Sequence, residues 1–304
     1  MPVQSGVATD YLDLLNKVRS FVTSVGDLGA EAWTEKRWQN SNELILLGSG
    51  ISGTEEIYVG VSGYFSVGSD YYNWRLNGFT GFDSGLAFNL QPGAMTDAVY
   101  PPVVPLWNSP MTYWLIANGR RIVLVSKVST RFEAMYLGFI TPYGTPGQYP
   151  YPNFVGGSMM GIGGHRWSYE ASEHSHFAAP LGIGWASYIG PARLRKPSGD
   201  WASVANAGAG TSNCLAMFPY HYNGNGLCQK IRATVSGNYV LTPLQIYDNA
   251  SAQYNIFGEL DGVYFITGYQ NGAENIVSVS GQDYLVVQNV YRTGPADYWA
   301  VRLV

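Results

Sequence analysis

The sequence predicts a mainly β protein of the α+β class, with antiparallel, sandwich-like sheets, an N-terminal helix and long Gly- and Pro-rich loops. The 304 residues include 37 glycines and 23 tyrosines, which suits short strands joined by tight turns. Charged residues make up only 12% of the chain, against about 25% in an average domain, and aromatic residues make up 14%. This balance argues against a helical bundle and a disordered chain. It is typical of proteins that bury part of their exterior against neighbours, since interface cores are poor in charge and rich in aromatic rings.

The first forty residues predict one substantial helix. Thr9 or Asp10 can cap it, and Gly26 can end it. Its apolar residues recur at helical spacing, at Tyr11, Leu14, Leu15, Val18, Phe21 and Val22. The face formed by Leu14, Val18 and Phe21 is a candidate protein interface, although it could equally cover the chain's own sheet. We therefore expect a helical arm over residues 1–40 and a β-rich body over residues 41–304, the body being divisible near residue 245 into a main domain and a C-terminal β-meander.

Short apolar runs then predict the strands. The first three are Leu44–Leu47, Glu56–Val61 and Tyr71–Leu76. A hairpin follows, in which Met111–Ala117 and Ile122–Thr130 flank Asn118-Gly119; this dipeptide favours a type I′ turn, in which both central residues need φ > 0. Arg131–Ile140 extends the hairpin. The C-terminal strands are expected at Tyr254–Leu260, Val263–Thr267, Asn275–Val279, Tyr284–Asn289 and Tyr298–Leu303, with turns at Asp261-Gly262 and Ser280-Gly281.

Residues 141–157 are rich in proline, tyrosine and glycine, which opposes any helix or regular ladder. Prolines beside the tyrosines restrict the backbone to extended conformations and lower the entropy lost on docking. We therefore predict a protein interface at Tyr143, Tyr149, Pro150, Tyr151, Pro152 and Phe154.

The charge and hydropathy patterns argue against two kinds of partner. The formal net charge is −4, and the densest basic cluster, Arg193, Arg195 and Lys196, is typical of a solvated turn, so we expect no nucleic-acid partner. The sequence has no apolar run of about 18 residues and no secretory signal, so we expect no membrane partner. We expect Cys214 and Cys228 to be reduced and structural, with a disulfide between them as the alternative.

One cluster of side chains could bind a metal. His165, Glu170, Glu173, His174 and His176 carry groups that bind Zn²⁺ or Mn²⁺, and His174 and His176 would share one side of a strand. Their spacing matches no closed zinc motif, however, so we expect a solvated loop or a subunit contact, and no metal or cofactor.

Catalytic patterns are weaker still. Glycoside hydrolysis needs two carboxyl groups about 5–9 Å apart across an aromatic-lined cleft. The candidates are Glu55, Glu56, Glu133, Glu170, Glu173, Glu259 and Asp261. The sequence has no Gly-x-Ser-x-Gly elbow, and Gly48–Gly53 lacks the lysine of a phosphate-binding loop, so we expect a strand-to-strand turn there and predict no catalytic residue.

Aromatic rings offer a further type of surface. Sugar-stacking platforms or protein anchors could form from Trp74, Trp107, Trp114, Trp167, Trp185, Trp201 and Tyr188, although most tryptophans are expected to lie partly in the core.

Several phrases resemble a family of structural proteins from the tail and baseplate of tailed bacteriophages. Two come early, Gly50-Ile-Ser-Gly-Thr-Glu-Glu-Ile-Tyr-Val-Gly60 and Tyr72-Asn-Trp-Arg-Leu-Asn-Gly78. The central block is Asn118-Gly-Arg-Arg-Ile-Val-Leu-Val-Ser-Lys-Val-Ser-Thr130 with the phrase that runs from Tyr136 to Gly157. Phe257-Gly-Glu-Leu-Asp-Gly-Val-Tyr264 and Asp297-Tyr-Trp-Ala-Val-Arg-Leu303 are similar too. Together these phrases cover about half of residues 44–304, and residues 158–220 resemble the family least.

The resemblance implies a non-enzymatic building block of the virion, assembled in the cytoplasm of the host bacterium. Its partners would be other virion proteins and copies of itself, packed through Tyr- and Pro-rich loops and free strand edges. Two alternatives stay open: a carbohydrate-binding module that recognises a host surface glycan, and a tail enzyme that cleaves polysaccharide.

Overall fold

A computed structural model describes residues 2–95, 101–160, 165–171, 174–177, 190–204, 214–220, 228, 234–235, 238–248 and 255–303. The predicted fold class is confirmed: strands account for 49% of the chain and helices for 9%.

The larger sheet has fourteen strands and carries most of the molecule. Its strands are β1 (Val3–Ala8), β7 (Met111–Ala117), β8 (Arg121–Val128), β9 (Arg131–Phe139), β10 (Thr141–Pro142), β11 (Asn153–Gly156), β13 (Ala192–Arg195), β14 (Trp201–Val204), β15 (Cys214–Phe218), β18 (Thr242–Asp248), β19 (Asn255–Phe265), β20 (Ile276–Val279), β21 (Gln282–Gln288) and β22 (Tyr298–Arg302). Along the sheet the order is β1-β7-β8-β9-β11-β13-β14-β15-β18-β19-β22-β21-β20, and β10 pairs with β19. Only the β14–β15 pair is parallel among these described strands.

The second sheet has six strands in the order β12-β6-β5-β4-β3-β2. They are β2 (Thr34–Gln39), β3 (Glu43–Gly48), β4 (Ile57–Ser66), β5 (Tyr71–Phe79), β6 (Pro102–Leu106) and β12 (Met159–Met160). A small pair, β16 (Thr234–Val235) and β17 (Asn238–Tyr239), lies apart from both.

The central strands β7–β9 separate two hydrophobic cores. Along β8, Ile122 and Leu124 point into the core shared with the six-stranded sheet and the N-terminal helix, while Val123 and Val125 point into the other core. The second core is closed by C-terminal strands, which supply Phe265 and other apolar side chains. A strand buried on both faces needs apolar residues at consecutive positions, which explains the unbroken run in β8.

The C-terminal part of the large sheet folds back onto its first part. Thr141 of β10 pairs with Glu259 of β19, and Phe132 of β9 forms a bridge with Val290. The suggested boundary near residue 245 falls inside β18, which is continuous with the rest of this sheet.

The N-terminal helix α1 (Tyr11–Val22) is present as predicted. Asp10 caps it, since its carboxylate accepts from the backbone N–H groups of Leu12 and Asp13 at 2.8 Å. The helix ends at Val22, before Gly26, which lies in the short helix α2 (Val25–Leu28). Two 3₁₀ turns occur at Gly29–Glu31 and Phe88–Leu90. None of the described helices has the length and apolarity that a membrane span requires.

Residues 1–40, expected as a helical arm, pack against the rest of the described chain. β1 pairs with β7 over its whole length, and α1 buries its apolar side in the first core. Residues 1–40 therefore include integral parts of the body.

The central hairpin occurs where predicted, with a different turn. The backbone N–H of Asn118 donates to Arg121 O at 3.0 Å, so Gly119 and Arg120 form the two-residue loop. The φ angle of Gly119 lies outside the left-handed region, which excludes the predicted type I′ turn. Instead, the side-chain oxygen of Asn118 accepts from the N–H groups of Arg120 and Arg121, each at 2.9 Å.

The dipeptide Asp261-Gly262 is not a turn but an irregular part of β19. Between the pairs Pro243–Tyr264 and Gln245–Glu259, residues 260–263 lie opposite the single residue Leu244. Gly262 has φ +67°, which such a bulge requires and which glycine adopts at little cost. By contrast, the turn predicted at Ser280-Gly281 is confirmed, and both residues have positive φ.

Candidate functional site

A cleft of about 450 Å³ opens where the two sheets meet. One wall is the loop between β3 and β4, the other is the Pro- and Tyr-rich segment between β9 and β11, and the tip of the β7–β8 hairpin supplies Arg120. The lining residues are Ser52, Thr54, Glu55, Glu56, Arg120, Phe139, Pro142, Pro146, Tyr149, Pro150, Tyr151 and Pro152. Pockets for small ligands commonly measure about 300–1,000 Å³, so the volume suits one.

A close backbone contact fixes the first wall. The N–H of Gly50 donates to Gly119 O at 2.9 Å, and the N–H of Glu55 donates to Ser49 O at 3.0 Å. A Cβ atom on Gly119 would lie 2.3 Å from Gly50 O. Gly119 is therefore needed for this close approach, and the loop that resembles a phosphate-binding loop is a strand-to-strand turn, as predicted.

The cleft contains both acidic and basic groups. Arg120 Nη2 lies 3.2 Å and 3.4 Å from the two carboxylate oxygens of Glu55. Arg120 Nε is buried and has no hydrogen-bond partner among the described residues. Glu56 is exposed on the same wall. Burial, followed by the charge of Glu56 and the hydroxyl of Tyr151, raises the pKa of Tyr58.

The predicted Tyr- and Pro-rich interface is largely buried within the chain. Tyr149 is 4% exposed and donates its hydroxyl hydrogen to Arg195 O; burial raises its pKa. Pro152 and Phe154 are also buried, so these three residues cannot form a docking surface. The prediction is wrong for them because aromatic and proline side chains fill a core as readily as an interface.

The remaining three residues of that prediction stay accessible. Pro150 is exposed, and Tyr151 is half-buried. Tyr143 is 51% exposed, but its hydroxyl donates to Glu259 at 2.9 Å and accepts from Gln245 Nε2 at 2.7 Å. Its ring is therefore held against β18 and β19.

The helix face proposed as an interface is likewise internal. Leu14, Val18 and Phe21 are at most 3% exposed and lie in the first core. The alternative, that the helix covers its own sheet, is the one observed.

A buried polar cluster, which we call the Asp261 cluster, joins the hairpin tip to β19. It consists of Asn118, Arg121, Asp261 and Arg302. Asn118 Nδ2 donates to Asp261 at 2.8 Å, Arg121 Nε lies 3.3 Å from the same oxygen, and Arg302 Nη2 lies 3.6 Å from the other. Burial raises the pKa of Asp261, but Arg121, Asn118 and Arg302 outweigh it, so the pKa lies below its ordinary value.

The sequence did not reveal the Asp261 cluster, since Asp261 lies about 140 residues after Asn118 and Arg121 in the chain. The two consecutive basic residues after Asn118-Gly119, Arg120 and Arg121, were the sequence feature that could have indicated the cluster.

The histidines of the candidate metal site have structural partners. The fully buried ring of His174 contacts Glu133 at 2.9 Å and Tyr169 O at 2.7 Å. His176 accepts from Trp299 Nε1 and donates to Phe132 O, each at 2.8 Å. Residues 174–176 do not form a strand.

Burial lowers the pKa of His176 to about 3; its hydrogen bond to Phe132 O opposes the shift, and His174 and Arg292 add to it.

The remaining members of that group do not complete a metal site. His165 stacks on Tyr169, Glu170 pairs with Arg131, and Glu173 lies outside the described residues. In the described part of the chain, no three His, Cys, Asp or Glu residues form a group that could hold a metal.

The cysteines and the aromatic residues are the remaining candidates from the sequence. Cys228 is buried and is not part of a disulfide, so the alternative of a disulfide with Cys214 is wrong. Trp74 is fully buried, and Trp107, Trp114, Trp167 and Trp201 are half-buried. Trp185 and Tyr188 lie outside the described residues.

No protein-family model matches the chain, and no curated protein is similar to it at a significant level.

Proposed function

We propose that this chain is a structural subunit of a bacteriophage tail or baseplate, and that it assembles through the free edge of β1. The tail assignment is supported by the resemblance of the quoted phrases. The assembly mechanism is carried by one observation: β1 is an exposed, uncharged strand at the edge of the large sheet.

β1 has the properties of a strand that accepts a partner. It pairs only with β7 among the described strands, so the N–H and C=O groups that point away from β7 meet no other strand. Its sequence, VQSGVA, has no charge and no proline. Val3 and Val7 are 39% and 59% exposed. An unprotected edge of this type is a template for pairing with another chain.

The six-stranded sheet protects its edge at β2. β2 carries Glu35, Lys36 and Arg37, and its pairing with β3 contains a register shift between Glu35 and Arg37. Charges and bulges are the two commonest devices that prevent edge pairing, and β1 has neither. The contrast within one molecule supports a partner for β1.

A second copy of the chain fits this edge. In an antiparallel pair centred on Ser5, Val3 of one copy lies opposite Val7 of the other, and Gln4 lies opposite Gly6. Each exposed valine would then be covered by its counterpart, while glycine leaves room for the longer glutamine. Such a contact is isologous, so it joins two copies into a closed dimer. A ring of subunits can contain several such dimers.

Two experiments test the two parts of the proposal separately. Quantitative mass spectrometry of purified phage particles should find the chain at a fixed stoichiometry with other tail proteins; trace or variable amounts would contradict the tail assignment.

For the mechanism, Val7→Lys places a charge on the edge of β1, and Val67→Lys is the matched control, since Val67 is 69% exposed in the β4–β5 turn.

The expected result is that Val7→Lys remains folded but loses self-association in analytical ultracentrifugation, whereas Val67→Lys behaves like the unmodified chain. Equal association of both variants would rule out β1 as the contact.

A further inference from the structure

We propose that the cleft between the β3–β4 loop and the Pro- and Tyr-rich segment binds an uncharged saccharide of one or two rings. This inference goes beyond assembly and uses a different part of the surface, since no residue of β1 lines the cleft.

The cleft is held open before a ligand arrives. Beyond the Gly50–Gly119 contact on one side, the N–H groups of Gln148 and Tyr149 both donate to Thr145 O at 2.9 Å on the other. The N–H of Ile140 donates to Pro152 O at 3.0 Å, which closes the base of the segment. Four of the lining residues are prolines. A rigid site loses little conformational entropy on binding, which favours weakly interacting ligands such as sugars.

The polar groups of the cleft include both hydrogen-bond acceptors and hydrogen-bond donors. Glu55 is oriented by Arg120, and its carboxylate has acceptor sites beyond those that the guanidinium uses. Arg120 also lines the cleft, and its guanidinium is the charged donor there. Ser52 and Thr54 add hydroxyl groups 2.9 Å apart. A sugar hydroxyl both donates and accepts, so neighbouring hydroxyls match such a set.

The apolar groups provide the other half of a sugar site. Tyr151 is half-buried, and Arg195 lies 5.3 Å from the centre of its ring, which holds the ring in place. Pro146 and Pro150 are exposed next to it. The C–H face of a pyranose packs on such a surface while its hydroxyls reach the polar wall.

The charge of the cleft selects against acidic sugars. Glu55 and Glu56 carry two negative charges, and Arg120 carries one positive charge. The net negative site repels carboxylate- or phosphate-bearing saccharides. A lysine-rich peptide is the competing ligand that this charge would admit, but it has no sugar ring to pack on Tyr151.

Ligand-observed NMR of the full chain tests the inference. The probes are the methyl glycosides of glucose, galactose and N-acetylglucosamine at millimolar concentration, with sialic acid and a tetralysine peptide for comparison. At least one uncharged glycoside should bind, and sialic acid should not.

Two cleft variants and one control locate the site. Glu56→Gln removes the negative charge of an exposed acceptor and should weaken binding about tenfold, as expected for one hydrogen bond to a charged group. Tyr151→Ala removes the ring on which the sugar packs and should weaken binding by a similar factor, about tenfold. Tyr269→Ala, at a tyrosine that is 46% exposed elsewhere, should leave binding unchanged.

Binding of no uncharged glycoside, binding that both cleft variants retain, or binding of tetralysine in place of every glycoside would each overturn the inference. Failure here leaves the β1 proposal untouched, because Val7→Lys and the cleft variants alter separate surfaces.

Discussion

Replacing Asp261 with the similarly shaped asparagine should lower the stability of the chain strongly. Asp261→Asn keeps the shape of the side chain and removes its charge. Arg121 is fully buried beside it, while Asp261 itself is 15% exposed. Breaking a buried ion pair from one side costs about 3–5 kcal/mol, because the remaining charge stays in a medium of low polarity. Since Asp261 keeps some contact with solvent, we expect a loss near the lower end, about 3 kcal/mol.

Urea denaturation at neutral pH measures this loss, and calorimetry should show a lower Tm. Asp283→Asn is the control, since Asp283 is an exposed carboxylate in β21, which β22 separates from β19, and its change should cost less than about 0.5 kcal/mol.

The pH dependence supplies a second check. The pKa of Asp261 is lower in the folded chain than in the unfolded chain, so its contribution to stability is complete above the unfolded pKa of about 4 and is lost as the pH falls through the folded pKa. The difference between the two chains should therefore be constant from about pH 7 to pH 5 and shrink below about pH 4. A loss under about 1 kcal/mol, or a difference that persists at the lowest pH, would refute this account of the Asp261 cluster.

Two further predictions concern the hairpin tip and the buried histidine. Gly119→Ala should destabilise the chain by about 2–4 kcal/mol, because the new Cβ would displace the Gly50 backbone, whereas Gly147→Ala, at a position with open space, should be neutral or slightly stabilising; thermal unfolding of the pair decides this. The folded chain keeps His176 neutral down to about pH 3, while the unfolded chain binds a proton below about pH 6.5, so stability should fall over this interval by up to about 5 kcal/mol. Urea titrations across this interval should show a smaller fall for His176→Gln, and an equal fall would contradict the assignment.

Short-range sequence signals were enough to predict the elements whose contacts lie within one segment of the chain. The Asp10 cap and the apolar spacing of α1 lie within one segment, and Ser280-Gly281 joins two adjacent strands. The β-branched run after Asn118-Gly119 predicted a strand of the central hairpin, and β8 lies there.

Features that depend on contacts between distant segments could not be predicted from these short-range signals. Asp261-Gly262 has the composition of a turn, but its conformation is decided by β18, β22 and the buried Arg121. Tyr149 and Phe154 were predicted at an interface, yet the returning C-terminal strands cover them. The cleft joins residues 52–56 to residues 142–152, a juxtaposition that only the packing of the two sheets creates.

Hydrogen–deuterium exchange at β1 tests the assembly proposal most directly. In the dilute chain, the amides of Val3–Ala8 that point away from β7 should exchange rapidly, and in the assembled state they should become protected, while the amides at the outer edge of β2 stay unchanged. Outward amides of β1 that exchange equally fast in both states would contradict the proposal.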